Sequence, residues 1–64
     1  MGKHTLNARI KEIYPRMLLK GKEVQIRNCR VLDKESERYE YLAHYKEPGM
    51  VINRWIEGKH IDFN

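Results

Sequence analysis

The chain has 64 residues, of which 41% are hydrophobic and 34% charged, and its formal net charge is +4 at pH 7. This length allows one small domain with a thin core, which disfavours an enzyme with a deep pocket, and the composition is that of a globular protein. A single cysteine, Cys29, excludes an internal disulfide. No apolar run, Met17–Leu19 included, exceeds three residues, which is too short for a transmembrane helix or a signal-peptide core. We therefore expect an intracellular domain.

The positive charge is concentrated in the first third of the chain. Residues 1–22 contain six lysines and arginines against Glu12 alone, a net charge of +5, whereas residues 23–64 are close to neutral. A clustered positive segment attracts a polyanion, and each phosphate that it neutralises releases a condensed counterion. The alternative is that these exposed cations only keep the protein soluble.

The first thirteen residues fit two structures. Leu6 and Ile10 recur at helical spacing and Pro15 would end a helix, so that one interpretation is a short helical turn over Leu6–Glu12. The other is a flexible arm over residues 1–13, since polar terminal segments usually fray.

From Tyr14 onward the pattern predicts strands. The triplet Met17–Leu19 followed by Lys-Gly-Lys indicates a strand that enters a tight turn at Gly21, because glycine adopts positive φ readily. The apolar positions between Glu23 and Leu32 change phase, which predicts a β-bulge near Asn28.

Three further strands complete the prediction. The clearest is Arg38–Lys46, which alternates tyrosine and alanine on one face with Glu40, Leu42, His44 and Lys46 on the other. Met50–Ile56 follows a Pro-Gly turn, and Ile61–Phe63 is a last short strand. Short strands separated by turns predict a small, strongly bent barrel over residues 14–64. We expect Trp55 to fill its interior.

No catalytic or metal-binding motif is present in the sequence. His4, His44 and His60 are far apart and Cys29 stands alone, so that no metal-ligand spacing exists. A Cys29–His44 catalytic pair is weaker as an interpretation than a small buried cysteine. Since no nucleophile, base and orienting group occur together, we predict a binding protein without a cofactor and not an enzyme.

The tyrosines of the predicted strand Arg38–Lys46 are candidate binding residues. Tyr39, Tyr41 and Tyr45 are suited to stacking on bases or to holding a methylated ammonium group by cation–π attraction. Alternating tyrosines more often form a barrel wall with their hydroxyls in water. We therefore assign two of the three to packing.

Three segments of the C-terminal half have a distinctive spacing. They are Tyr41-Leu42-Ala43-His44-Tyr45, then, after nine residues, Trp55-Ile56, and finally Lys59-His60-Ile61-Asp62-Phe63. This pattern resembles the chromo barrel (tudor-knot) domain of MYST-type histone acetyltransferases and MRG-type chromatin proteins. Gly21 and Cys29–Leu32 fall in register with the same family, and the resemblance covers residues 14–63. It implies a mainly β, five-stranded chromo-barrel or SH3-like barrel.

The methyl-lysine cage of the MRG-type members is not reproduced. The residues at its cage positions are Lys20, Gln25, Tyr45, Pro48 and Ile52. A trimethylammonium group needs two or more ring faces, and a lysine at the rim repels it. The family's two acids before the tryptophan are Asn53-Arg54 here, which favours nucleic acid over a basic histone tail. The chain is therefore more similar to MYST-type members, whose cages are also incomplete.

The resemblance and the charge together imply a monomeric, non-catalytic chromatin-targeting module in the nucleus that binds RNA or DNA. Alternatives are a histone-tail reader with a degraded cage, a scaffold that contacts a parent acetyltransferase or its complex, and an unrelated barrel. Because the last predicted strand ends at the C-terminus, we expect a domain of a longer protein. The expected phosphate contacts are Lys11, Arg16, Lys20, Lys22, Arg27, Arg30 and Arg54, with Tyr39, Tyr41 or Tyr45 as a stacking or cage residue.

Overall fold

Five antiparallel strands form one strongly curled sheet in the computed structural model, which describes residues 6–63. The prediction of a small, strongly bent, five-stranded β fold is confirmed, and the sheet forms a half-barrel. The elements are β1 (Leu6–Ile10), β2 (Glu23–Asp33), β3 (Arg38–Glu47), β4 (Met50–Glu57), a 3-10 turn (Gly58–His60) and β5 (Ile61–Asp62).

The strands follow one another across the sheet, except that the last returns beside the first. The order is β4-β3-β2-β1-β5, and β5 joins β1 through the pairs Arg9–Asp62 and Ile10–Ile61. Within the described residues no ladder joins β4 to β5. The sheet is therefore open along β4, and the loop between β1 and β2 lies beside that open edge, where it lines a groove with two β4 residues.

The concave face of the sheet holds the core. It is formed by alternate apolar residues of the strands, together with two side chains from the long β1–β2 loop, Tyr14 and Leu19. Leu19 is only 1% exposed and is among the largest fully buried side chains. The strand members are Ala8, Ile10, Val24, Ala43, Ile56 and Ile61. The β1–β2 loop is therefore part of the fold and not an appendage to it.

The predicted bulge in β2 is confirmed. The pairing of β2 with β3 shifts between Ile26 and Asn28, so that Arg27 has no partner across the ladder. Ile26 pairs with Ala43, and Cys29, three residues later, pairs with Tyr41. Both therefore face the concave side, since the extra residue reverses the alternation of the strand.

The helical turn predicted over Leu6–Glu12 is wrong, because this segment contains strand β1 and the start of the following loop. Ala8 and Ile10 point into the core at the two-residue period of a strand. The separate arm or helix over residues 1–13 is therefore wrong for its described part, since β1 pairs with β2 and β5. Residues 1–5 lie outside the described part of the chain.

Met17–Leu19 forms a turn and not the predicted strand. The Lys20 amide donates to the Arg16 carbonyl at 3.2 Å, which closes one turn of backbone. Only Leu19 is buried in this triplet, and Met17 and Leu18 are exposed. Gly21 has a φ of +72°, as the sequence predicted for the turn that follows.

Trp55 does not fill the interior, contrary to the prediction. It pairs with Leu42 on the convex face, whereas its neighbour Ile56 pairs with Tyr41 and lies in the core. Alternation along β4 permits only one of these two neighbours to face inward. Cys29 is also exposed and not the buried core residue expected, because it lies on β2 beyond the packed centre of the sheet.

Candidate functional site

The β1–β2 loop, residues 11–22, is held to the sheet at several points. The Gly21 amide donates to the Ile10 carbonyl and the Ile10 amide to the Lys22 carbonyl, both at 2.9 Å. Buried Leu19 anchors its second half, and the ring of Tyr14 meets that of His60 edge-on at 5.3 Å. Because both halves are fixed, the loop presents its exposed side chains from a defined position.

A groove of about 410 Å³ separates this loop from β4. Its walls are the loop segment Pro15–Leu19 and two residues of β4, Ile52 and Arg54. Arg54 pairs with Ala43, a concave-face residue, and so its side chain leaves β4 on the side of the loop. Arg16 and Arg54, which are 38 positions apart in the sequence, therefore line one groove.

Tyr45 and Lys22 extend this surface toward β3. Tyr45 pairs with Ile52, and the Lys22 ammonium lies 5.9 Å from the centre of the Tyr45 ring. The Tyr45 hydroxyl donates to the Glu47 carboxylate at 2.5 Å, and this hydrogen bond raises the pKa of Tyr45 above its usual value of 10.0. With one side against the core and a lysine near its face, this ring is not a free stacking surface.

We call Arg16, Lys20, Lys22 and Arg54 the loop–β4 surface. Within residues 6–63, none of the four has a carboxylate oxygen within 4.0 Å of its charged nitrogens. Two carboxylates border the surface. The Glu47 carboxylate accepts the hydrogen bond from Tyr45. The Glu12 carboxylate lies over Gly21, so close that a Cβ atom added to this glycine would be 2.5 Å from Glu12 Oε2. The four cations are therefore not in ion pairs within the described residues, and Glu12 and Glu47 reduce the positive charge at the border of the surface.

Arg30 was predicted to contact phosphate, and the structure gives it different partners. Its guanidinium lies 2.7 Å from the Glu40 carboxylate and 4.1 Å from the centre of the Trp55 ring, on the convex face. A cation over an indole face, paired with a carboxylate, is a structural interaction within the sheet. Arg30 is therefore not part of the loop–β4 surface.

The two remaining predicted contacts lie outside this surface. Lys11 is at the start of the loop, where its amide donates to the His60 carbonyl at 2.8 Å. Arg27, at the bulge, donates to Gln25 Oε1 at 3.1 Å and shares a second groove, of about 420 Å³, with Tyr45 and Lys46. Of the seven predicted contacts, the fold thus brings Arg16 and Arg54 to one groove, with Lys20 and Lys22 in the same loop and Arg27 across Tyr45.

The other two candidate tyrosines lie away from the basic surface. The Tyr41 ring meets Phe63 edge-on at 4.9 Å and packs against the core, and burial raises the pKa of its hydroxyl. Tyr39 is 37% exposed and pairs with Val31 near the β2–β3 turn. No basic residue of the loop–β4 surface contacts either ring, and so neither stacks at that surface.

The expected cage positions line different grooves, although Tyr45 and Ile52 are partners across β3 and β4. Tyr45 shares one groove with Gln25, Ile52 lines the groove beside the loop, and Pro48 lies on a third surface at the β3–β4 turn. Neither the Tyr45 groove nor the Ile52 groove contains a second tyrosine, tryptophan or phenylalanine. These positions lack the ring pair that a methylated ammonium group requires.

Two apolar residues of the surface were not predicted as functional. Met17 is 82% exposed and Leu18 is 60% exposed, and both line the groove beside Arg16 and Arg54. The signal in the sequence was an apolar triplet flanked by basic residues, which was interpreted as a buried strand.

No family model, curated protein or solved structure matches this chain. The described residues also contain no group of three or more histidine, cysteine, aspartate or glutamate side chains placed to hold a metal ion. Among residues 6–63, no helix has the length and apolar character needed to cross a membrane.

Proposed function

We propose that this chain is a non-catalytic module that binds nucleic acid through the loop–β4 surface. The observation that carries the proposal is that Arg16 and Arg54, from distant parts of the chain, line one groove without ion-pair partners among residues 6–63. Lys20 and Lys22 follow Arg16 in the same fixed loop. Other cations of the fold, such as Arg30 and Arg38, are neutralised by Glu40 and Glu57. Unpaired cations such as Lys34 and Lys59 also lie elsewhere on the described part of the fold, but at the loop–β4 surface two of them, Arg16 and Arg54, line one groove.

Unpaired cations on a fixed loop favour a polyanion for an electrostatic reason. Each cation that meets a phosphate releases a condensed counterion, and the gain in entropy drives binding at low salt. Four contacts predict a slope of about −3.6 for the logarithm of affinity against that of salt concentration in B-DNA. Affinity should then fall about 150-fold when salt rises about fourfold.

The chromo barrel resemblance gives this proposal a biological context. We propose that the module belongs to a chromatin protein of the MYST acetyltransferase type and acts in the nucleus. The replacement of two acids by Asn53-Arg54 supports nucleic acid as the ligand, since Arg54 is a member of the loop–β4 surface. The histone-reader alternative is not favoured, because the cage positions do not share a pocket with two aromatic rings.

Titration of labelled duplex DNA and single-stranded RNA with the 64-residue chain tests the proposal by fluorescence anisotropy. We expect binding at low salt that weakens steeply as salt increases. A control variant, Lys34→Gln, removes an exposed charge at the β2–β3 turn and should leave affinity almost unchanged. Absence of binding at low salt, or an affinity that does not depend on salt, would contradict the proposal.

A further inference from the structure

Two adjacent apolar side chains project from the middle of the basic surface. Met17 and Leu18 are 82% and 60% exposed, and they lie between Arg16 and Lys20 in the turn closed by the Lys20–Arg16 backbone hydrogen bond. The next residue, Leu19, is buried and fixes the turn to the core. The pair is therefore held outward and contributes little to the core.

The surroundings of this pair are positively charged. Met17 and Leu18 line the same groove as Arg16 and Arg54, and the backbone of the turn leads directly into Lys20. Exposed apolar groups gain free energy only when a partner covers them. A partner that also satisfies the flanking cations must present apolar surface between anionic groups, as stacked bases do between phosphate backbones.

We propose that Met17 and Leu18 form a wedge that enters a base step of duplex DNA, while Arg16, Lys20 and Arg54 bind the flanking phosphates. This inference rests on the proposed function. Leucine and methionine wedges partly unstack a step from the minor groove and kink the duplex by about 20–90°. Arginine is also attracted to the enhanced negative potential of a narrow minor groove. The ligand is therefore bent duplex DNA.

The aromatic residues of the fold favour a duplex over a single strand. Proteins bind single strands largely by stacking bases on exposed rings. Near the loop–β4 surface the available ring is Tyr45, which packs on the core with Lys22 near its face and its hydroxyl on Glu47. Two aliphatic side chains on a fixed turn are suited to wedging open a step and not to stacking on a splayed base.

An anionic membrane is the other surface that attracts apolar residues among cations. Lipid binding strengthens with the apolar area inserted, and stable anchoring requires a helix face or covalent chains. The area offered by Met17 and Leu18 is small by that measure, whereas one or two side chains are enough to unstack a base step. We therefore argue for DNA, and vesicles enter the test as a competing surface.

The test measures binding and bending separately on one duplex that carries a donor and an acceptor dye at its ends. Anisotropy reports binding, and energy transfer reports the end-to-end distance. We compare the unchanged chain with the double variant Met17→Ala/Leu18→Ala, and with the control Leu32→Ala, an apolar residue 42% exposed at the far end of β2. Circular dichroism verifies that each variant is folded.

We expect the unchanged chain and the Leu32→Ala control to increase energy transfer on binding. The double variant should keep the salt dependence of binding and lose the bend. Its affinity for DNA should be about tenfold lower, a loss equal to that of burying about two methylene groups fewer. Binding without bending by the unchanged chain would overturn the wedge and leave the proposed function intact. If the double variant bends DNA as much as the unchanged chain, the wedge is likewise overturned and the proposed function is left intact.

Two further arms separate the ligand classes. A labelled RNA duplex should bind more weakly than DNA and show no bend, because the A-form minor groove is wide and shallow. Phosphatidylserine-containing vesicles should not compete with DNA for the chain. Equal bending of RNA, or vesicle binding lost in the double variant, would overturn the wedge. Failure of the unchanged chain to bind any nucleic acid would instead overturn the proposed function.

Discussion

Replacing Ile56 by alanine is expected to destabilise this fold more than replacing its larger neighbour Trp55. The two residues are adjacent on β4 and face opposite sides of the sheet. Ile56 is 1% exposed and belongs to the core. Trp55 is half-buried on the convex face, with Arg30 over its ring at 4.1 Å. The comparison therefore tests which face of β4 carries the core.

The expected sizes follow from burial. Truncation of a buried isoleucine to alanine costs about 2–5 kcal/mol. A partly exposed cation–π contact contributes about 0.5–1 kcal/mol, so that Trp55→Ala should cost about 1–2 kcal/mol with its remaining packing included. A domain of this length has a free energy of unfolding of about 3–10 kcal/mol. Ile56→Ala should therefore remove a large part of the stability, and Trp55→Ala should leave a folded protein.

Urea unfolding followed by circular dichroism measures both variants with one probe that does not depend on the tryptophan. Ile56→Val, which should cost about 0.5–1.5 kcal/mol, supplies a measurable value if Ile56→Ala is unfolded in water. An unfolded Trp55→Ala beside a stable Ile56→Ala would show that the faces of β4 are assigned the wrong way round.

Three other measurements address the loop and the surface charges. Gly21→Ala should cost about 1–2 kcal/mol in urea unfolding, because φ at this position is +72°; an unchanged midpoint would refute that backbone conformation. Hydrogen bonding to Arg38 holds the pKa of Glu57 below its usual value of 4.5, so this stabilisation is present above pH 4.5 and is lost as pH falls below it. Arg38→Gln should weaken that acid dependence, and an identical pH profile would contradict the pairing. Glu47→Ala should lower the raised pKa of Tyr45 toward 10.0, as measured by NMR of the ring carbons, and no change would exclude their hydrogen bond.

The strands with long alternating patterns were predictable from the sequence. β3 alternates over ten residues, and Gly21 and the phase change near Asn28 marked a turn and a bulge that the structure contains. β1 was not predictable in the same way, because Leu6 and Ile10 are four positions apart. That spacing places residues on one face of a helix and also on one face of a strand, and pairing with β2 and β5 decides between them.

The position of Trp55 and the composition of the site depend on contacts between distant segments. A large aromatic residue is commonly buried, but the register of β4 on β3 turns Trp55 outward, where Arg30 from β2 covers it. The sequence identified Arg16 and Arg54 as candidate cations. It could not show that buried Leu19 would hold the loop beside β4 and bring these two residues to one groove.

The most direct test of the central claim is the salt dependence of DNA affinity in matched charge variants. Arg54→Gln removes a cation of the loop–β4 surface, and Lys34→Gln removes an exposed cation at the opposite end of β2. We predict that Arg54→Gln reduces the magnitude of the salt slope by about 0.9 and that Lys34→Gln leaves it unchanged. Equal slopes for the unchanged chain and Arg54→Gln, or an equal reduction in both variants, would contradict the assignment of this surface as the nucleic-acid interface.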